Sequence, residues 1–297
     1  MMTQSYTLTN DYITIEVNSF GAEMTKLIKN DTKHNYLWNG DSKYWGRISP
    51  VLFPIVGKLK NNEYTWKNTN YTMTQHGFAR DSVFELLSKN DCEIWLRLES
   101  NDNTKVSYPF DFILDIGYKL IDSKVEVMWR VSNTGEEVMY FSIGAHPGFF
   151  YPLHDKERME KFGIDFHVEE PLEYLLVDGN GYVDKQKYSL TTSNGIIHIN
   201  EYFFDRDALI AEGNQTHKVS LMDENNNKYI TVEFDAPLFG IWSPPKKNAP
   251  FICIEPWYGR SDAVTFTGDL NEKEWINELY PNNTFCKSYS IKVVYDH

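Results

Sequence analysis

The chain has 297 residues and a formal net charge of −13, a field that opposes binding to nucleic-acid phosphates or anionic membrane surfaces. Three scattered cysteines, Cys92, Cys253 and Cys286, supply neither a disulfide framework nor zinc-ligand spacing. No apolar run reaches membrane-spanning length and the N-terminal MMTQSYTLTNDYITIEV lacks a signal-peptide layout, so a cytoplasmic protein is expected.

In chain order, the first clear element is DYITIEVNS, where Ile13, Ile15 and Val17 alternate with Tyr12, Thr14 and Glu16, the period of a strand. Turn residues follow in NGDS (39–42) and KNTN (67–70). KVEVMWRVSN repeats the alternation, with Val125, Val127, Trp129 and Val131 on one face and Glu126, Met128, Arg130 and Ser132 on the other. NTGEE (133–137) ends it. DKERMEKF (155–162) suggests one short helical turn, and VDGNG (177–181) another loop. Ile230, Val232 and Phe234 of KYITVEFD share a face, NEKEWINEL (271–279) reads as a helix, and SYSIKVVYD closes the chain as a strand. No linker, charge block or repeat divides residues 1–297. Many short strands with close turns predict an all-β single domain of two large, mostly antiparallel sheets packed face to face. Aromatic residues, 15% of the chain, suit such a core, and their flat faces also suit the C–H surfaces of sugars.

Eight histidines have to be sorted. His34, His154, His217 and the terminal His297 read as surface positions, and His167 and His198 as half-buried structural residues. His76 in TMTQHGFARDS and His146 in SIGAHPGFF differ, because each sits beside a glycine that lets backbone approach closely, next to aromatics. A packing role and a substrate-facing role are both open for such a residue. In APFICIEPWYGRSD, Glu255 follows a strongly apolar run, where lost solvation would raise its pKa toward neutrality and make it a useful base or acid. The alternative is a strand-end carboxylate paired with Arg260. Arg47, among aromatic and apolar neighbours, and Arg80, in the segment of His76, either bind substrate or form structural salt bridges. Asp205 follows two aromatics, with Arg206 and Asp207 beside it.

SPVLFPIVGKL, QHGFAR, GAHPGF and CIEPWYGRSD, in this order, resemble the aldose 1-epimerases (galactose mutarotase-like proteins), and within them the LacX-like bacterial branch. The likeness spans nearly the whole chain. It implies a galactose mutarotase-like β-supersandwich, a sugar substrate and no metal or organic cofactor. It also implies His146 as the acid, Glu255 as the base and His76 as a ligand of sugar hydroxyls. Related hexose-6-phosphate mutarotases carry an arginine before a proline-rich turn and a Q-H-G-F-A-R segment, positions that Arg47, Gln75 and Arg80 occupy here. Asp205 falls near the family's sugar-binding aspartate, with Asp207 as its competitor. Galactose mutarotases proper have a GRxANR-like segment, and GKLKNN here lacks both arginines. The expected substrate is a free aldohexose such as glucose or galactose, with a hexose 6-phosphate as the alternative.

Other readings fit less of the pattern. A glycosidase needs two carboxylates across the bond and would leave both histidines without a role. A facial-triad iron site lacks the H-x-D/E spacing, and the arginines would oppose a cation. A non-catalytic sugar-binding protein need not keep both an acid and a base.

Overall fold

The alternation of residues 124–133 is carried into the computed structural model, which describes residues 3–151 and 159–294. Val125, Val127, Trp129 and Val131 are buried along one face of the strand Lys124–Asn133. That strand is central to a nine-stranded sheet. From one edge the order is Ile196–His198, Gly163–Asp165, Lys218–Met222, Lys228–Phe234, Thr284–Val293, Lys124–Asn133, Phe112–Ile121, Glu93–Glu99 and Glu85–Lys89. Every neighbouring pair is antiparallel.

A second antiparallel sheet of six strands runs Leu209–Glu212, Leu238–Trp242, Phe251–Tyr258, Ile143–Ala145 and Val51–Leu52, with Gly148–Phe150 also paired to Phe251–Tyr258. Its inner face, including Phe239, Ile241, Ile252, Ile254 and Tyr258, joins Val125, Val127, Ile116 and Ile230 of the large sheet in one apolar cluster. Each such aliphatic side chain stabilises the fold by roughly 1.5–3 kcal/mol. The all-β expectation is met.

The strand Phe251–Tyr258 is buried on both faces. Its second face carries Phe251, Cys253, Glu255 and Trp257, because side chains alternate across a strand. Phe251 and Cys253 belong to one small cluster with Trp38, and Trp257 to another with Leu52 and Leu238. Glu255 stands in the gap between them. A buried carboxylate is thereby placed between an aromatic and a largely aliphatic cluster, on the side of the sheet away from the main core.

Some local expectations need correction. Residues 271–279 do not form a helix: a 3-10 turn at Leu270–Glu272 ends early, Trp275 takes a φ of +62°, and Asn277–Leu279 pairs as a strand with Met139–Phe141. Pairing wins there because the Asn277 side chain donates to the carbonyls of Phe141 and Tyr258. One α-helix does form, at Asp102–Ser107, where Asn101 and Thr104 make a reciprocal cap. Of DKERMEKF, Met159–Lys161 is a 3-10 turn, and its earlier residues, like His154 and His297, lie outside the described residues. KNTN makes the two-residue turn of the hairpin Glu63–Trp66/Thr69–Thr72, with positive φ at Lys67 and Asn68. His198 is exposed at the sheet edge rather than half-buried. No helix among the described residues is long and apolar enough to cross a membrane.

Candidate active site

The strand pairing explains the glycine-flanked His146. Gly144 is opposite Trp257 and Gly148 opposite Cys253, so the same register continued through the unpaired residues between them sets His146 opposite Glu255. On the other side Gly240 faces Glu255. A Cβ at Gly144 or at Gly240 would come within 2.6 Å of the Trp257 ring, and one at Gly148 within 3.1 Å of Trp38. These glycines clear room for indoles, and His146 is the side chain left standing between them.

His146 Nε2 approaches Glu255 Oε2 at 3.2 Å. Both groups are buried, with Glu255 1% exposed. The imidazole stacks on Trp45 (centroids 4.8 Å apart) and meets Trp242 (5.2 Å) and His76 (5.6 Å) edge to face. Burial raises the Glu255 pKa well above the usual carboxylate value, and the charge of Asp207 adds to the shift. Burial first, then the charges of Arg80 and Arg47, lower His146 to about 3. The pair therefore rests in its neutral form. Arg260 does not neutralise Glu255; it pairs with Glu212 and Glu274.

His76 adopts a φ of +66° and is clamped by the residue 57 backbone: the Gly57 N–H donates to His76 Nδ1 at 3.1 Å, while the His76 N–H donates to the Gly57 carbonyl at 2.8 Å. A ring nitrogen that accepts from a backbone amide cannot carry a proton, so the neutral ring holds its hydrogen on Nε2. Burial, then His146, then the two arginines, push its pKa well below 6.5. The Gln75 side-chain nitrogen lies 3.3 Å from that Nε2, and turning the carboxamide by 180° presents its oxygen to accept the ring hydrogen.

Arg47 Nη2 binds Asp81 at 2.8 Å, and Arg80 Nε lies 3.7 Å from the same carboxylate. Arg80 Nη2 donates to the Gln75 carbonyl. Burial and Arg47 pull Arg80 down to about 10. His76, His146, Glu255, Gln75, Arg47 and Arg80 thus share one neighbourhood.

Asp207 connects to this neighbourhood by accepting from Trp242 Nε1 at 2.8 Å and by its charge on Glu255. Asp205 interacts instead with Tyr202 of its own turn. Trp45, Trp242 and Cys253 were not singled out by sequence. The usable signal for Trp242 was its register against the Glu255 strand, which pairs it with Cys253, and pairing between separated strands is not readable from one chain.

Residues 4–275 match the family model for aldose 1-epimerase. The chromosomal LacX protein of Lactococcus lactis subsp. lactis is 29% identical over 97% of this chain and 98% of its own. A galactose mutarotase related enzyme from Lactobacillus acidophilus superposes with a TM-score of 0.93 at 35% identity, covering 98% of both chains. A galactose mutarotase-like protein from Lactobacillus casei superposes at 0.92 with 26% identity, covering 98% of this chain and 100% of that one. With this match over nearly its whole length, the chain belongs to the aldose 1-epimerase family.

Proposed function

We propose that this protein interconverts the α and β anomers of a free aldohexose such as glucose or galactose, with Glu255 and His146 as the acid–base pair. The observation that carries the reading is the 3.2 Å approach of their buried side chains beside Trp45 and Trp242. Anomer exchange needs one group to take the C1 hydroxyl proton while another protonates the ring oxygen. The pair at rest holds one dissociable proton, on the carboxylic acid. Its passage to the imidazole gives carboxylate and imidazolium with no proton drawn from solvent. Glu255 then takes the C1 hydroxyl proton, His146 protonates the ring oxygen, and the C1–O5 bond breaks to leave the open aldehyde. After rotation about C1–C2 the flow reverses: His146 recovers its proton from the C5 hydroxyl and Glu255 returns one to O1. The Nε2–H of His76, held outward by Gly57, is suited to a sugar hydroxyl.

Charge favours a neutral sugar. Arg47 and Arg80 contribute +2, their shared Asp81 contributes −1, and Glu23 acts on both arginines as well, so at most +1 remains, short of balancing a phosphate dianion. A hexose 6-phosphate remains the second reading because two guanidiniums flank the pocket. Polarimetry with fresh α-D-glucose, α-D-galactose and their 6-phosphates tests both. Glu255→Gln and His146→Asn are each expected to lower kcat by about 10²–10⁴-fold, the usual worth of a positioned acid or base. Near wild-type rates in either variant would remove that residue from the mechanism. A strong preference for the phosphates, abolished by Arg80→Ala, would replace the free sugar as substrate.

A further inference from the structure

Cys253 has no part in the mechanism above, yet its thiol completes a second constellation. It stands two residues before Glu255 on the same face of Phe251–Tyr258, and His146 lies across from Glu255. Two donors at alternate positions of a strand and a third from the break between Ile143–Ala145 and Gly148–Phe150 converge above the sheet. One ligand atom from each of His146, Cys253 and Glu255 lies within 4.8 Å of the other two. All three residues are buried, and both Glu255 oxygens and His146 Nδ1 make no hydrogen bond. The converging ligand atoms, several of them without a hydrogen-bond partner, leave coordinating capacity that the protein does not fill.

We propose that His146, Cys253 and Glu255 form a site for a borderline divalent cation, Zn²⁺ or its analogue Co²⁺, and that its occupation stops the acid–base chemistry. A nitrogen, a sulfur and a single carboxylate suit such ions over Mg²⁺ or Ca²⁺, which favour all-oxygen shells. Three protein ligands also leave the fourth position of a tetrahedral ion open. Charge works in the same direction: a dication with one thiolate and one carboxylate sums to zero, so the buried unit carries no net charge. Both protons leave to solvent on coordination, including the one that anomer exchange uses. Asp207 acts on Glu255 and favours a cation at the carboxylate end, against the opposing charge that Arg47 and Arg80 place on the His146 end.

Co²⁺ is the probe, added to protein carrying Cys92→Ser and Cys286→Ser, which removes the exposed thiols. A thiolate-to-cobalt absorption band in the near ultraviolet is expected to saturate at one equivalent and to be displaced by Zn²⁺. Cys253→Ala should abolish the band and weaken Co²⁺ binding by more than about 100-fold, the upper end of what losing a ligand's hydrogen-bond partner costs. Glu255→Gln, which keeps the thiol, should weaken binding as well and serves if the alanine variant fails to fold. Zn²⁺ should stop anomer exchange, chelator should restore it, and Zn²⁺ should no longer lower whatever turnover Cys253→Ala shows. Absence of the band in the folded parent, or a band that survives both substitutions, overturns the site. The inhibition rests on the proposed epimerase reading, but the cobalt spectrum does not. A band in a protein without anomerase activity would refute that reading alone, and activity without a band would refute the metal site alone.

Discussion

Glu255 buries a carboxyl 3.2 Å from an imidazole that burial also holds neutral. With both groups held neutral, the working state of the pair holds one dissociable proton. Adding a second proton means charging His146, whose pKa lies near 3 rather than 6.5, so the acid limb of activity is displaced to low pH. Removing the only proton means ionising Glu255, whose pKa is raised well above 4.5, so the basic limb moves upward. A kcat/KM profile flat across pH 6.5 is therefore expected, with its acid limb well below that value. An acid limb centred near 6.5 would show that His146 is not held neutral. At this scale the chain was partly legible. FICI before Glu255 announced a desolvated carboxylate, and GAHPG announced a histidine with space cleared around it. What filled the space was not readable, because Trp45, Trp242 and Trp257 come from three separate segments.

At the scale of elements, the segment around Gly57 connects His76 to the far end of the chain. The Lys58 N–H donates to Ser261 Oγ at 2.8 Å, and the Lys60 N–H to Asp262 Oδ2 at 2.8 Å. Asp262 is itself held by buried Lys273 at 2.6 Å. Gly57, at a φ of +74°, lies so close to Ser261 that a Cβ would sit 2.2 Å from its Oγ. Gly57→Ala must therefore shift this backbone, and with it the amide that fixes the proton of His76 on Nε2. Raised KM with a smaller change in kcat is expected, because a sugar-binding donor is misplaced while the acid–base pair stays. A matching change in the His76 ring ¹⁵N shifts would mark a lost tautomer preference, and unchanged shifts and KM would exclude this role for the glycine. The strands Ile13–Asn18, Lys124–Asn133 and Lys228–Phe234 were legible as elements because alternation is a local signal. The Gly57–Ser261 contact was not, since neither residue type nor spacing betrays a partner so distant in sequence. Residues 271–279 failed for the same reason: their helical spacing is overridden by pairing with Met139–Phe141.

For the whole molecule, the order of strands in the large sheet decides how it unfolds. Thr284–Val293 lies between Lys124–Asn133 and Lys228–Phe234, so the last strand joins elements from the first and second halves of the chain. Both sheets also contribute to one apolar cluster. Removing that strand exposes a ladder of backbone donors and acceptors on two neighbours and opens the core along Ile291 and Val293, both fully buried. A single cooperative unit spanning both halves is the expected behaviour. Urea denaturation followed by tryptophan fluorescence and by far-UV circular dichroism should give coincident transitions, the test of two-state unfolding. A chain ending before Thr284 should fail to reach that state. Two resolved transitions, or a cooperative transition in the shortened chain, would mean that the halves fold independently and that the closing strand only docks onto a finished sheet.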